Sequence, residues 1–111
     1  MKTVKIIIIA ILAIVITSNV YSQSVTTKSE TIKVSGNCDM CKARIEKAAK
    51  VDGVSKAEWN KETKLLAVTY EPSKTNTEAI GKKVAASGHD TEKAKAETKV
   101  YDKLPGCCKY R

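Results

Sequence analysis

The sequence predicts an α+β domain in which two helices cover one face of a four-stranded antiparallel sheet. The spacing of apolar residues changes along the chain, from alternation over short segments to helical spacing over longer ones. The resulting order is strand, helix, strand, strand, helix, strand. A short polar stretch at residues 60–64 suits a hairpin between the two middle strands, and each helix forms a crossover. This is the order of the split βαβ, or ferredoxin-like, sandwich.

Each element follows from its local pattern. Strands are predicted at residues 30–35, 54–60, 65–70 and 91–98, the last of them rich in Ala and Lys. The first helix spans residues 40–51, with an apolar stripe of Cys41, Ile45, Ala48 and Ala49. The second helix takes Thr75 or Thr77 as its N-cap and ends at Gly88. We expect Trp59 to pack in the core or on the sheet, and Met40 to pack inward at the start of the first helix.

The N-terminal residues predict an exported protein. Lys2 and Lys5 precede an unbroken apolar run at residues 6–16, and Ser22 suits a cleavage site before Gln23. We interpret residues 1–22 as a signal peptide and residues 23–29 as a flexible leader. An uncleaved membrane anchor needs roughly 20 apolar residues. We therefore expect no stable membrane insertion after signal cleavage, and a periplasmic or secreted location.

The charge of the chain is typical of a solvated surface. The 111 residues carry a net charge of +8, which falls to +6 without the two lysines of the predicted signal peptide, because that segment contains no acidic residue. The remaining lysines alternate with Glu and Asp, and aromatic residues are not interleaved with them, so a nucleic-acid surface is not indicated. No Ser/His/Asp arrangement, paired carboxylate site or glycine-rich phosphate loop is found in the sequence. An enzyme is therefore not expected.

Cys38 and Cys41 form the motif with the clearest chemistry. They lie where the first strand meets the first helix, and two thiols at this spacing can converge on one ion. The helix N-terminus favours the thiolate forms, and two thiolates select soft ions such as Cu(I), Zn(II) and their heavier relatives. A two-ligand site on a loop can release its ion stepwise to the thiols of a partner, which suits delivery better than storage.

The segment around this motif resembles the heavy-metal-associated (HMA) domain family. Residues 34–46 are similar to its metal-binding loop and first helix, and the resemblance extends over residues 30–98. It implies metal binding by Cys38 and Cys41, as in copper chaperones, domains of copper- and zinc-exporting ATPases, and the periplasmic mercuric-ion-binding protein. Gly36 replaces a Met that commonly packs under this loop, so we expect a more mobile loop. Asp39 adds a carboxylate, which suits Zn(II) or another divalent ion.

His89 is the single histidine of the chain, and it follows Gly88 in the loop after the second helix. In the predicted fold this loop lies beside the loop between the first strand and the first helix, which carries Cys38 and Cys41 and is called the cysteine loop below. In the resembling family this position faces the metal. His89 is therefore a candidate third ligand or a charge that tunes the site. The alternative is an exposed loop histidine without a role.

Cys107 and Cys108 lie in a C-terminal tail, residues 99–111, and the family pattern does not include them. Three roles are open for this pair. The two thiols are candidate accessory metal ligands from a tail that folds back, partners for oxidation with Cys38 or Cys41, or intermolecular contacts.

Together these features predict a Cu(I) carrier that binds one ion through Cys38 and Cys41. It would exchange the ion with a metal-accepting or metal-donating protein such as a heavy-metal transporter, and a metal-bridged homodimer is a further option. A mercuric-ion or Zn(II) carrier is the alternative within the class. A small thiol-disulfide redox protein, a structural disulfide and a metal-free interaction module are the alternatives outside it. Because an oxidising compartment tends to close exposed dithiols, a carrier must keep both thiols reduced.

Overall fold

The computed structural model describes residues 26–111. The predicted signal peptide and residues 23–25 of the predicted leader lie outside the described residues. The elements of the described chain are β1 (Lys28–Lys33), α1 (Asp39–Ala49), β2 (Val54–Trp59), β3 (Leu65–Tyr70), α2 (Thr77–Ala86), the single turn α3 (Thr98–Tyr101) and a 3₁₀ turn (Gly106–Cys108). Between residues 26 and 111, no helix has the length and apolar character needed to cross a membrane.

The sheet has the order β1-β3-β2, and both pairings are antiparallel. Leu66 of the central strand lies opposite Ile32 of β1 and opposite Trp59 of β2. All three side chains are buried, because alternate residues of a strand point to the same face and this face packs against the helices. The predicted core position of Trp59 is confirmed.

Both helices cover this face, since α1 packs against β2 and α2, and α2 packs against β1. Helix α1 buries Cys41, Ile45 and Ala49, the repeat of four that the sequence predicted. The N-cap of α2 is Asn76 rather than Thr75 or Thr77. Its side-chain oxygen accepts a hydrogen bond from the backbone N–H of Ala79 at 2.8 Å, which satisfies one of the free donors of the first turn.

The fourth strand predicted at residues 91–98 does not form within residues 26–111. Directly after β1, a single antiparallel bridge joins Val34 to Thr91. The hydroxyl oxygen of Thr91 then accepts hydrogen bonds from the backbone N–H groups of Lys93 and Ala94 at 3.0 and 2.9 Å. This local turn diverts the chain from the sheet, and the Ala- and Lys-rich segment after it has little preference for a strand. The fourth position of the sheet is thus occupied by one short bridge.

The C-terminal segment, residues 98–111, packs on the domain. Tyr101, Leu104 and Cys108 belong to the hydrophobic core. The hydroxyl of Tyr110 accepts a hydrogen bond from the backbone N–H of Asp90 and donates one to the carbonyl of Gly88, both at 2.7 Å. The segment is therefore held against the loop that follows α2, and it carries Cys107 and Cys108 to the cysteine loop.

Candidate metal centre

The first two cysteines lie at the start of α1, as predicted. Cys38 is the N-cap residue with extended backbone dihedral angles, and Cys41 lies in the first turn. Their Sγ atoms are 3.3 Å apart. All four cysteines of the chain are free thiols, so this pair is available as a dithiol. That the pair binds metal stays a prediction.

The environment of Cys38 favours its thiolate. Several hydrogen bonds together lower the pKa of Cys38 to about 7 against the opposing effect of burial, and the largest contribution comes from the backbone N–H of Cys41, which donates to the Cys38 sulfur. Hydrogen bonds from the thiols of Cys41 and Cys108 also contribute to this lowering. Because the thiolate is the metal-binding form of cysteine, Cys38 is prepared for coordination near neutral pH.

Cys108 is the third thiol of the cluster. Its Sγ lies 3.6 Å from Cys38 Sγ, and the Sγ atoms of Cys38, Cys41 and Cys108 all lie within 4.8 Å of one another. A metal ion with bonds of about 2.3 Å to three sulfurs in one plane would hold those sulfurs about 4 Å apart. The observed arrangement is close to that spacing. Cys108 is fully buried, and burial raises the pKa of its thiol above the usual range.

Cys107 lies outside this three-thiol cluster. Its side chain is exposed, and its S–H donates to the thioether sulfur of Met40 at 3.6 Å. The prediction that Met40 packs inward is wrong, because its side chain is 54% exposed. Met40 therefore contacts Cys107 at the surface, beside the three-thiol cluster.

His89 lies beside the cysteine loop but is not a member of the cluster. It is fully buried rather than exposed, and its Nδ1 lies 2.8 Å from the carbonyl oxygen of Ser35. Since a carbonyl only accepts, Nδ1 carries the proton. Burial lowers the pKa of His89, so the ring is neutral at pH 7 and Nε2 has a lone pair. Among the described residues Nε2 has no hydrogen-bond partner.

Gly36 is closely packed by Trp59. A β-carbon at position 36 would lie 3.0 Å from Cη2 of the indole and 3.2 Å from the β-carbon of Cys41. The indole N–H donates to the carbonyl of Val34 at 3.1 Å, and Lys64 Nζ donates to the carbonyl of Gly36 at 2.6 Å. The indole therefore fills the space under the loop, and the loop is held on both sides where the sequence predicted greater mobility.

Asp39 does not point toward the sulfurs. Its carboxylate is 87% exposed and lies 3.5 Å from Lys61 Nζ. Within residues 26–111 the group of converging ligand atoms contains thiols and no carboxylate. The candidate ligands are therefore soft sulfur atoms, without the harder carboxylate oxygen that Asp39 was expected to add.

Two residues that hold the site were not predicted. Asn37 donates from Nδ2 to the carbonyl of Lys109 at 2.8 Å, and the ring of Tyr110 stacks on His89 with centroids 5.6 Å apart. The sequence offers one hint of this role. Tyr101 and Tyr110 flank the vicinal cysteines in a chain whose aromatic content is only 5%, and buried aromatic rings commonly anchor a segment.

Comparison with known proteins identifies a domain family and two relatives that are named for heavy metals. The sequence model of the heavy-metal-associated domain matches residues 31–90. The copper-exporting P-type ATPase of Bacillus subtilis (strain 168) is 36% identical over 86 residues, which cover 76% of this chain and 11% of the ATPase. The mercuric transport protein periplasmic component of Shewanella putrefaciens is 43% identical over 54 residues, 48% of this chain and 59% of that protein. The chain thus spans a small part of the first relative and just over half of the second.

Solved structures of a metallochaperone and of MerP are also similar to this chain. The CopZ metallochaperone is 30% identical with a TM-score of 0.55, and the match covers 58% of this chain and 98% of that one. Oxidized MerP from Ralstonia metallidurans CH34 is 33% identical with a TM-score of 0.57, covering 60% and 96%. These likenesses confirm the predicted ferredoxin-like class, although the fourth strand is reduced to a bridge.

Proposed function

Because the chain belongs to the heavy-metal-associated domain family, we propose that it is an exported carrier of one soft metal ion, with Cu(I) as its cargo. The observation that carries the proposal is the Cys38–Cys41 pair, whose sulfurs are 3.3 Å apart at the N-terminus of α1. The lowered pKa of Cys38 supplies a thiolate near pH 7, and paired thiolates are the ligands that Cu(I) prefers.

Transfer would proceed by ligand exchange without any redox change. Cys38 is partly exposed and Cys41 is buried, so an incoming ion meets Cys38 first and Cys41 second. On delivery, a thiolate of the acceptor forms a bond to the metal as the bond from Cys38 breaks. A second acceptor thiolate then replaces Cys41. This sequence needs an acceptor with two accessible thiolates, and a heavy-metal transporter with a paired-cysteine site is the partner we propose.

A Hg(II) carrier is the second candidate, and a specific observation favours it. The Shewanella mercuric transport component is 43% identical over 54 residues, and oxidized MerP has the same fold at 33% identity. Hg(II) also prefers sulfur ligands. Zn(II) is less favoured, because the Asp39 carboxylate faces Lys61 and solvent rather than the thiols.

The compartment forms part of the proposal. Lys2, Lys5 and the apolar run at residues 6–16 support export to the periplasm or beyond the cell. Exposed dithiols tend to oxidise there, so a carrier must be loaded before or soon after export, or be kept reduced. A thiol-disulfide redox protein would instead cycle the same pair without any metal.

The test is an anaerobic titration of the reduced chain from residue 23 onward with Cu(I) against a chromogenic Cu(I) chelator. We expect the protein to remove one equivalent of copper, and a Cys38→Ser/Cys41→Ser variant to lose this ability. Cys107→Ser is the matched control, because Cys107 is exposed and lies outside the cluster. The same titration with Hg(II) and Zn(II) ranks the ions. Failure to compete for any of the three ions would refute the carrier and favour the redox protein.

A further inference from the structure

We infer that Cys108 is the third ligand of the metal site, and that it holds in cis the position that an acceptor thiol must take. This inference rests on the proposed function, since it assumes that Cys38 and Cys41 bind the ion. It adds to that function a C-terminal segment that closes the site. The chain would then bind its cargo through three thiolates, and delivery would require displacement of Cys108.

The position of Cys108 is the first argument. Its Sγ reaches within 3.6 Å of Cys38 Sγ although the two residues are 70 positions apart. The three sulfurs lie within 4.8 Å of one another, a spread that one metal ion can span. Cys108 is fully buried, so its thiol faces the cluster rather than solvent.

The second argument is that this position is fixed by contacts on both sides of Cys108. Before it, the Cys108 backbone N–H donates to the carbonyl of Pro105 at 2.9 Å and closes the 3₁₀ turn. After it, the carbonyl of Lys109 accepts from Asn37, the residue next to Cys38. The Tyr110 hydroxyl then forms hydrogen bonds with Gly88 and Asp90 in the loop after α2. The segment is thus joined directly to the cysteine loop, and this geometry is unlike that of a free tail.

The vicinal cysteines therefore have different roles. Cys107 is exposed and contacts Met40, whereas Cys108 is buried against Cys38 and Cys41. When the metal binds, Cys108 Sγ forms a bond to it and its proton passes to solvent. No electron is transferred, and no oxidant is needed.

A third thiolate in cis changes the behaviour of the carrier. It raises affinity, because a further metal–sulfur bond forms without bringing in a second molecule. It also slows release of the ion, because an acceptor thiolate must displace Cys108 before Cys38 and Cys41 can be replaced. The same competition acts against a second copy of this chain, so we expect the loaded protein to remain monomeric rather than form a metal-bridged homodimer.

The first experiment counts sulfur neighbours by X-ray absorption spectroscopy on the reduced chain from residue 23 onward, loaded with one equivalent of Cu(I) or, separately, Hg(II). We expect three sulfurs around the ion for at least the better-bound metal. A count of two for the better-bound metal would overturn the inference. Because this measurement uses the unaltered chain, it does not depend on whether a variant folds.

The second experiment compares Cys108→Ser with Cys107→Ser, after circular dichroism has shown that each is folded. Loss of a residue that only orients a ligand costs about 10- to 100-fold in metal affinity, so loss of a direct ligand should cost at least as much. We expect Cys108→Ser to show this loss and to pass Cu(I) to the chelator faster, and Cys107→Ser to match the parent. Equal affinities for the parent and both variants would refute the role of Cys108. The carrier itself fails by a different result, either a parent chain that competes for none of the three ions or a Cys38→Ser/Cys41→Ser variant that binds normally.

Discussion

Replacing Gly36 with alanine should disturb the packing under the cysteine loop. The new β-carbon would lie 3.0 and 3.1 Å from two atoms of the Trp59 indole and 3.2 Å from the β-carbon of Cys41. Both neighbours are buried in the core, where close packing leaves little room to move. Overpacking a core with an added methyl group typically costs about 1–3 kcal/mol, and we expect a loss of stability in that range.

The measurement is urea unfolding of the reduced, metal-free protein, supported by a thermal melt. For a domain of this size, a loss of 1 kcal/mol lowers Tm by roughly 4–8 °C. Gly106→Ala is the matched control, because nothing lies within 4 Å of a β-carbon at that position. It should be neutral or stabilise by less than about 1 kcal/mol. If Gly36→Ala were as stable as this control, the indole would not be filling the space beneath the loop.

Three further predictions concern one thiol and two polar anchors. In the reduced, metal-free protein, alkylation of Cys38 mapped by mass spectrometry should accelerate as pH rises through about 7, because above its lowered pKa the thiolate predominates. A midpoint of about 8.5, the value of a free cysteine, would contradict this. Asn76→Ala should cost about 1 kcal/mol in urea unfolding through loss of the helix cap, whereas Thr75→Ala should cost less than about 0.5 kcal/mol. Equal losses would show that Asn76 is not the cap. Tyr110→Phe leaves two partly buried backbone groups without a partner and should cost about 1–3 kcal/mol, so unchanged stability would show that these bonds contribute nothing.

Local patterns were sufficient to predict the elements from β1 to α2 and the position of the dithiol. The alternation of apolar and polar residues around Ile32 specifies the face that β1 buries. The four-residue spacing of Cys41, Ile45 and Ala49 does the same for α1. The position of Cys38 and Cys41 at the strand-to-helix junction follows from the same patterns. These features depend on neighbours in sequence, so periodicity is enough to find them.

Long-range contacts account for the part of the site that the sequence did not predict. The approach of Cys108 to Cys38 depends on bonds between residues far apart in the chain, such as Asn37 with Lys109. No periodic pattern encodes such a pairing. The loss of the fourth strand has a different origin, because it depends on competition between the sheet and the local turn at Thr91.

The position of Trp59 has a practical consequence. It is the single tryptophan of the chain, so emission excited selectively from indole comes from one place in the molecule. That ring and the β-carbon of Cys41 border the same point beneath the cysteine loop. An ion held by the neighbouring sulfurs would alter this emission, and a heavy ion such as Hg(II) would quench it. The chain therefore contains its own optical reporter, with which loading and release could be followed in real time without attaching a dye.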